Sequence, residues 1–398
     1  MRGTVWQRVR QWLARSEMGH YLVRVGLADA AGMSAGYRAY ASEGYAQNVY
    51  AYRCIRLRGL AMGSLTWRVY RRGNAGQQTA VAAAHPLCRL LRRPNPHQGW
   101  SAFMQRAMLH LDLDGNAFLR FVGPAATGDD APRMAFALPP DRVLVQAGAQ
   151  LADPHRYLFD NAPLSAAQVL HLWYEDPLNE LRGLSPLCAA ALSIDTNTAE
   201  RRFRYNLLKN SAMPSGIYRV QGRLQEPDYE RLKKELRDKY AGAERAGSVM
   251  LLQNGAEFQA VGFSPKEFFS GTADPASAVE IAEALAVPGQ LVGIRGSQTF
   301  ANFAQALRHF YTSTVLGLAD YWRDELRNWL VPKYGDDRLE LDYDRDAIAA
   351  LRDEQNAVVE RTAQAWWLTV NEKRRATGAD PLPGGDALLA PSGMQRVE

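Results

Sequence analysis

The first feature with catalytic potential is a serine between two glycines near the amino terminus. Gly32, Ser34 and Gly36 match the pattern G-x-S-x-G, which in serine hydrolases places a nucleophilic hydroxyl on a sharp turn between a strand and a helix. Here the preceding residues are LADAA, and the surrounding stretch is rich in Gly, Ala and Ser. Such a stretch predicts no strand before the serine, so we interpret the match as compositional. A serine hydrolase that uses Ser34 is kept as the alternative hypothesis.

Carboxylates and histidines offer a second kind of chemistry. Asp112 and Asp114 stand two residues apart where a predicted helix turns into a strand. They could act as paired carboxylates, but Asp is common in turns and no third ligand is evident, so we predict a turn role. His85 and His97 lack metal-ligand spacing, and no H-E-x-x-H motif occurs. We therefore predict no catalytic residue, no metal site and no cofactor.

Motifs that bind nucleotide phosphates are also missing from the sequence. No G-x-x-x-x-G-K-S/T pattern occurs. Gly293 and Gly296, in the stretch GIRG, lack the third glycine and the preceding strand of a dinucleotide site. A chain of 398 residues without a convincing catalytic motif favours a structural or assembly role.

The composition is that of a globular protein. Of 398 residues, 47% are hydrophobic and 22% charged, which is enough for roughly two to three domains with cores of their own. No run of about 18 apolar residues occurs, so no membrane-spanning helix is expected. The three cysteines are widely spaced, which indicates a reducing compartment. These properties argue against disordered, fibrous and disulfide-stabilised classes.

Positive charge is concentrated at the amino-terminal end. Residues 1–72 hold twelve Arg and three acidic residues, whereas residues 336–398 hold eight basic and thirteen acidic residues. Only seven of the 47 basic residues are Lys, and Arg suits bidentate contacts to phosphate. A GC-rich genome would also favour Arg. The basic end is therefore a weak indication of nucleic acid or of an acidic partner.

Residues 1–15 have the pattern of a short basic amphipathic helix. Arg residues alternate with apolar residues that recur at helical spacing, namely Val5, Trp6, Val9, Trp12 and Leu13. Such a helix could dock on another subunit, on a membrane surface or on its own chain, and all three remain open. Residues 26–46 are rich in Gly, Ala and Ser and predict a linker or a flexible arm.

The first 180 residues predict an α+β layer of mostly antiparallel strands with flanking helices. The helices are expected to begin after Asn48, near His85 and at Ser101, a candidate N-cap. Strands are expected where β-forming residues cluster between turns, at 66–73, 117–123, 135–138, 143–145 and 169–173.

Long helices dominate the second half. One is predicted over 184–210, with Ser185 as N-cap and Pro186 in its first turn. Another runs from Thr299 to Pro332. The remaining predicted elements are a strand–helix–strand–strand unit (213–263), a helix (276–287), a strand (339–343), a helix (345–367) and a short helix with a Thr369–Glu372 capping box, closed by Gly378.

Seven segments in order carry a family pattern: NVYAYRCIRLRGLAMGSLTWRVYRR, HPLCRLLRRPNPHQGWSAFMQRAMLHLDLDGNAFLRF, LPPDRV, VLHLWYEDPLNELRGLSPL, NSAMPSGIYRV, AEALAVPGQLVG and LTVNEKRRATGADPLPGGDALL. Together they resemble the portal proteins of long-tailed double-stranded DNA bacteriophages and of the related gene transfer agents. The resemblance spans roughly residues 45–390. Residues 268–278 depart from it, because Gly and Pro interrupt them where the family is more continuously helical, and residues 1–44 match nothing in it.

The resemblance implies an α+β protomer with long helices, assembled as a ring of twelve copies at one capsid vertex. Two stem helices would line a central channel. The implied division of the chain is an N-terminal arm (1–44), an α+β wing (45–183), a stem helix (184–212), a clip (213–263), a second stem helix (264–287), a tunnel loop (288–299), a wing helix and strand (300–344) and a helical crown (345–398).

The resemblance also implies which residues lie near DNA. A conduit must meet the phosphate backbone without reading bases or binding tightly, and we expect Arg295, Gln298 and Thr299 of the tunnel loop to do so. The basic residues of the first stem helix are second candidates, with an ion pair or a solvated surface as the alternative for each: Arg201, Arg202, Arg204 and Lys209. Candidates for docking of the packaging motor lie in the clip: Lys233, Lys234, Arg237 and Asp238.

The partners implied by the resemblance are further copies of this chain, the major capsid protein, the terminase large subunit, a head–tail connector and double-stranded DNA of any sequence. No membrane and no cofactor are implied. Because the chain has no nucleotide motif, the ATP hydrolysis that moves DNA would belong to a partner, and we predict that this chain is not an enzyme. The protein is expected in the virion, at a capsid vertex, after assembly in the host bacterial cytoplasm.

Overall fold

The computed structural model describes most of the chain: residues 36–73, 77–123, 131–148, 155–209, 216–219, 225–231, 234, 257–260, 276–294, 300–377, 379 and 381–388. The helices are α1 (Val49–Gly63), α2 (Pro86–Arg92), α3 (Trp100–Asp114), α4 (Pro186–Ala189), α5 (Ala191–Lys209), α6 (Ala276–Ala284), α7 (Phe300–Phe310), α8 (Leu316–Trp329), α9 (Arg352–Gln364) and α10 (Val370–Ala376). The fold is α+β, as the sequence predicts.

The strands among these residues pair only in antiparallel fashion. Their bounds are β1 (Trp67–Arg72), β2 (Gln78–Ala80), β3 (Asn116–Val122), β4 (Met134–Leu138), β5 (Val143–Gln146), β6 (Arg156–Phe159), β7 (Ala162–Leu164), β8 (Val169–Trp173), β9 (Gly216–Arg219), β10 (Glu257–Ala260) and β11 (Leu339–Tyr343). They form sheets in the orders β11-β1-β2, β4-β3-β8, β5-β6-β7 and β10-β9.

Helices α1 and α3 pack against each other at the centre of the larger hydrophobic core. α1 begins as predicted after Asn48, whose side chain accepts hydrogen bonds from the backbone N–H groups of Tyr50 (3.0 Å) and Ala51 (3.1 Å). The helices approach closely at Gly63, where a Cβ would lie 2.9 Å from the carbonyl oxygen of Ser101. Phe103, like the other apolar residues of α3 that face α1, is buried.

The sheet around β1 joins distant parts of the chain. β1 pairs with β11, so that Trp67 lies opposite Tyr343 and Val69 opposite Leu341. The alternating burial of β11 reflects this pairing, since Leu341 points into the core. The predicted strand 339–343 is therefore confirmed, but its partner could not be read from a local pattern.

Several local predictions are wrong because tertiary contacts override composition. Residues 36–46 do not form a linker: a helical turn at Tyr37–Ala39 continues as a π-helical segment, Tyr40–Tyr45, and Tyr40 is buried in the core. Ser101 is not an N-cap, because α3 begins at Trp100 with Gly99 in the capping position.

The predicted C-terminal helices are present with changed bounds. The helix expected over 345–367 is shorter, comprising a 3₁₀ turn at Ala349–Leu351 followed by α9. The helix expected from Thr299 to Pro332 is interrupted by a π-helical segment, Tyr311–Val315. The capping box of Thr369 and Glu372 is confirmed in full.

Some predicted features fall outside the described residues. These are the Ser34 motif, the amphipathic segment 5–13, the expected strand 249–252 and the closing Gly378. Conversely, β2, β6 and β7 are strands that the sequence analysis does not predict. They are short strands of three or four residues, too short to carry a periodic signal.

Glycine at position 115 should be essential to the junction between α3 and β3. Gly115 has a φ of 79°, and a Cβ there would lie 2.6 Å from the carbonyl oxygen of Gly183. We expect Gly115→Ala to lower the free energy of unfolding by about 2–5 kcal/mol, because left-handed strain and backbone overlap add. Gly335 has a similar φ of 66° with no atom within 4 Å of the added Cβ, so Gly335→Ala should cost only about 1–2 kcal/mol. Denaturant unfolding measures both, and equal losses would contradict the backbone contact.

Candidate functional site

The candidate site is the pair of helices, α5 and α6, that the sequence predicts as a channel-lining stem. A buried polar seam joins them. The Asn197 side chain is fully buried and donates a hydrogen bond to Ser277 Oγ (3.2 Å), while its own Oδ1 accepts one from Asn48 Nδ2 (3.1 Å). At the exposed edge of the same helix pair, nearer the start of α5, Ser193 Oγ donates to Glu280 (2.5 Å). Because every buried polar atom in such a seam needs its partner, the seam fixes the register of the two helices.

The carboxyl end of α6 is held from two sides. Arg58 on α1 donates through Nη1 to the carbonyl oxygen of Leu285 (2.6 Å), and Thr314 donates to the carbonyl oxygen of Ala286 (2.8 Å). These two carbonyls follow the last turn of α6, where intrahelical partners are absent. A guanidinium is also favoured by the negative end of the helix dipole. Ala286 has a φ of 52°, which turns the chain sharply out of the helix.

The same arginine belongs to a buried ion pair at the core. Arg58 donates to both carboxylate oxygens of Asp112 (3.0 and 3.2 Å from Nε) and to the hydroxyl of Tyr174 (2.7 Å), and that hydroxyl donates to Asp112 (3.0 Å). Burial raises the pKa of Tyr174 far above its ordinary value, so the hydroxyl keeps its proton. The three groups satisfy one another away from water, as a buried charge requires.

A second buried pair lies one half-turn further along α3. Arg182 donates to the carboxylate of Asp114 (2.5 Å), and Asn116 Nδ2 donates to the same carboxylate (2.9 Å). Asn116 Oδ1 accepts from the N–H of Gly183 (2.8 Å) and lies 2.9 Å from Nε2 of His171. Burial, with Arg182 nearby, holds the pKa of His171 well below its ordinary value, so the ring is neutral.

The predicted turn role of Asp112 and Asp114 is therefore wrong. Both lie in the last turn of α3, and each is buried against its own arginine. Acidic residues at a helix carboxyl end are unfavourable on their own because of the helix dipole. Arg58 and Arg182 offset that cost, and neither arginine carries a sequence signal that distinguishes it from the many exposed ones.

The first part of the predicted tunnel loop is ordered against the core. After Pro288 the chain forms a 3₁₀ turn, Gly289–Val292, and Gly293 adopts a φ of 86°. Ile294 then folds back, 7% exposed, onto Gly289. A cavity of about 320 Å³ opens beside this turn, lined by Arg53, Gln290, Leu291, Val292, Gly293, Asn302 and Phe303. The base of the loop, residues 288–294, is therefore packed firmly against the core, and we call this segment the mount.

The basic residues of α5 lie on a stretch of helix that projects from the core. Arg201, Arg202 and Arg204 are all exposed, although they occupy different faces of the helix. Arg202 pairs with Glu43 (3.7 Å) and also donates to Gln47. Residues 201–206 are exposed on every side, so this part of α5 makes few contacts with the rest of its own protomer.

The remaining predicted site residues are placed as follows. Lys234 is helical and exposed. Lys209 is the last residue of α5, and its side chain is not among those that the structure describes. The other candidates lie outside the described residues: Arg295, Gln298 and Thr299 of the tunnel loop, Lys233, Arg237 and Asp238 of the clip, and Ser34 of the alternative hypothesis.

Among the described residues, no group of three or more His, Cys, Asp or Glu side chains is arranged to hold a metal ion. None of the described helices has the length and apolar character needed to cross a membrane.

Comparison with known proteins identifies the family. A family model described as phage portal protein matches residues 50–378. The chain belongs to the phage portal protein family. Among curated relatives, the portal protein of Enterobacteria phage HK97 is 25% identical over 351 residues, which cover 85% of this chain and 80% of that protein.

This portal-family chain is also similar to chains in solved structures of virion necks. A structure described as the neck of an empty GTA particle computed with C6 symmetry has a chain 31% identical to this one. The match covers 91% of this chain and 100% of that chain, with a TM-score of 0.68. The neck of a native GTA particle computed with C12 symmetry gives 31% identity, 91% and 99% coverage, and a TM-score of 0.67. The resemblance to phage and gene transfer agent portals is confirmed.

Loss of the buried guanidinium should destabilise this portal-family chain far more than loss of a surface one. We expect Arg58→Met to cost about 3–5 kcal/mol, because it leaves Asp112 charged and buried. Arg38 also binds an aspartate, Asp141, at 2.8 Å, but its side chain is 83% exposed; Arg38→Met should therefore cost less than about 1 kcal/mol. Chemical denaturation of each variant gives the difference.

A further variant separates charge from packing in the same experiment. Arg58→Met combined with Asp112→Leu removes the uncompensated carboxylate, and should recover part of the loss. If the double variant is no more stable than Arg58→Met alone, the buried charge is not the source of the cost.

Proposed function

We propose that this chain is the protomer of a ring-shaped portal at one capsid vertex, through which double-stranded DNA is packaged and later ejected. The observation that carries the proposal is the family match over residues 50–378, joined to the 31% identity with chains of virion necks computed with C6 and C12 symmetry. These likenesses support our proposal of a ring of twelve copies in the neck of a phage or gene transfer agent particle. The chain would act there as a conduit, not as an enzyme.

The helix pair α5–α6 is the proposed stem of the conduit. The polar seam of Asn48, Asn197 and Ser277 holds the pair to the core, while Arg201 and Arg204 are exposed further along. In a ring of twelve, each such side chain is repeated twelve times around the channel. Arginine side chains of this kind contact DNA phosphates and do not distinguish one base from another. Arg202 already has Glu43 and Gln47 as partners, so we rank Arg201 and Arg204 ahead of it.

The tunnel loop is the proposed constriction. Its mount, Pro288–Ile294, is packed on the core beside α1, and α7 begins directly after the loop. Arg295, Gln298 and Thr299 would thus meet DNA from a rigid base. A single arginine in each copy gives a ring of charge whose attraction for DNA is electrostatic and salt-dependent.

The clip and the partners complete the proposal. β9 and β10 pair within the predicted clip, with Ile217 opposite Gln259, and the exposed Lys234 belongs to the same region. We propose that Lys233, Lys234, Arg237 and Asp238 dock the terminase motor, which supplies ATP hydrolysis, and later the head–tail connector. The ring would contact the major capsid protein at the vertex and remain in the virion.

The mass of the purified chain in solution tests the ring. Twelve copies of a 44.3 kDa chain should sediment as a particle of about 530 kDa, since closed cyclic symmetry gives one defined size. Negative-stain images of the same sample should show a ring with a central hole. A homogeneous monomer at high protein concentration would contradict the proposed assembly.

The tunnel loop has a test of its own. We expect the double variant Arg295→Ala/Gln298→Ala to form rings normally but to lower the yield of DNA-filled particles, because two DNA-facing groups per copy are lost. The measurement is nuclease-protected DNA per particle. A matched control, Arg89→Ala/Gln78→Ala, removes the same residue types from exposed positions in the predicted wing and should leave the yield unchanged. Normal packaging by the tunnel-loop variant would remove both residues from the mechanism.

A further inference from the structure

The loop between β8 and α4 presents an apolar tip framed by carboxylates. Leu178 is 94% exposed, yet the loop around it is well held. Asp176 accepts a hydrogen bond from the N–H of Leu178 (2.9 Å), and Asn179 accepts one from the N–H of Leu181 (3.0 Å). At its base, Leu184 N–H donates to the carbonyl oxygen of Tyr174 (3.3 Å). A side chain displayed in this way is preorganised for contact with a partner.

We call residues 173–184 the acidic loop. Its exposed carboxylates are Glu175 and Glu180, with Asp176 half-buried between them. The one arginine of the loop, Arg182, is buried against Asp114 and does not offset this charge at the surface. Trp173 and Leu184 are partly exposed at the two ends of the loop. The surface therefore combines apolar groups with net negative charge.

A surface of opposite character runs along α1. The side of this helix that faces solvent carries Val49, Tyr52, Arg53, Arg56 and Leu60, which we call the basic stripe. Its apolar members are 53%, 44% and 39% exposed. No Asp or Glu occurs between Glu43 and Asp112, so no acidic neighbour in the sequence neutralises Arg53 and Arg56.

The buried network relates the two surfaces to each other. Arg58, on the buried side of α1, binds the hydroxyl of Tyr174 at the base of the acidic loop (2.7 Å). The stripe is centred about 180° around the same helix from Arg58, since successive residues are about 100° apart. The Tyr174 hydroxyl, at the base of the acidic loop, and the basic stripe thus lie on opposite sides of α1. A ring is built from such heterologous contacts, in which two different surfaces of one copy meet two neighbours.

We propose that the acidic loop of each copy docks on the basic stripe of the next copy in the ring. Leu178 packs against the apolar members of the stripe, and the loop carboxylates face Arg53 and Arg56. This inference rests on the proposed ring. Within the described part of the chain, no ion pair joins Arg53, Arg56, Glu175 or Glu180 to another residue of the same copy. Opposite patches that meet in this way set register and partner choice.

Charge reversal tests the contact on the full chain. We expect Arg53→Glu/Arg56→Glu and, separately, Glu175→Arg/Glu180→Arg to reduce ring formation by at least about tenfold, because each places like charges across the interface. Mass photometry at fixed protomer concentration and low salt gives the ring fraction. All four positions are exposed, so the thermal unfolding of the variants should match that of the wild-type chain.

Mixing the two reversed variants gives the decisive result. The acidic loop of the first fits the wild-type stripe of the second, and the basic loop of the second fits the reversed stripe of the first. We therefore expect rings of alternating variants to form only in the mixture, since a ring of twelve accommodates strict alternation. The matched control is Arg89→Glu/Arg92→Glu, two exposed arginines at the same spacing on α2, which should form rings alone and should show no dependence on mixing.

A cross-linking measurement does not depend on charge. Leu178→Cys combined with Tyr52→Cys should, on oxidation, give a ladder of covalent oligomers that ends at the closed ring. The single-cysteine variants control for the native Cys54, Cys88 and Cys188 and should give no ladder. The outcomes are separable: a wild-type chain that forms no rings contradicts the proposed function, whereas wild-type rings with unaffected variants and no ladder overturn this interface alone.

Discussion

The contact on which the rest of the structure depends is the buried pair of Arg58 and Asp112. Arg58 reaches three elements at once: the end of α3 through Asp112, the segment after β8 through Tyr174, and the end of α6 through Leu285. Neither charge has access to water, so each is tolerable only while its partners stay in place. The pair therefore contributes less to net stability than to the relative placement of helices that hydrophobic contact alone would leave free to slide.

That constraint has a functional consequence if the chain forms a portal ring. In such a ring, DNA would move past side chains repeated in every copy, so the proposed stem and tunnel loop would have to keep their position under load. The α5–α6 seam of Asn197 and Ser277 fixes register within the stem, and Arg58 with Thr314 fixes the chain where it leaves α6 for the loop. The α5–α6 pair and the core are thus joined by polar contacts with defined geometry, while residues 201–206 of α5 are exposed.

Local chemistry explains what could be predicted from the sequence. Asn48, Ser185 and the Thr369–Glu372 box each begin a helix because a side-chain oxygen satisfies backbone N–H groups a few residues away. Strands with runs of buried β-forming residues, such as β3 and β8, were equally visible. The pairing of β1 with β11 was not, because its partners are brought together by the fold and no short-range pattern records them.

The candidate site, too, is partly predictable from the sequence and partly decided by the fold. The portal family, the long helices and the positions of the basic residues follow from the sequence by itself, since these depend on residue order and local spacing. Only the tertiary structure decided which charges are buried. Asp112 and Asp114 look like turn residues in the sequence, and Arg58 and Arg182 look like the other 38 arginines until the fold removes them from water. The physical reason is that the energy of a charge depends on its surroundings, and those surroundings come from elements far apart in the chain.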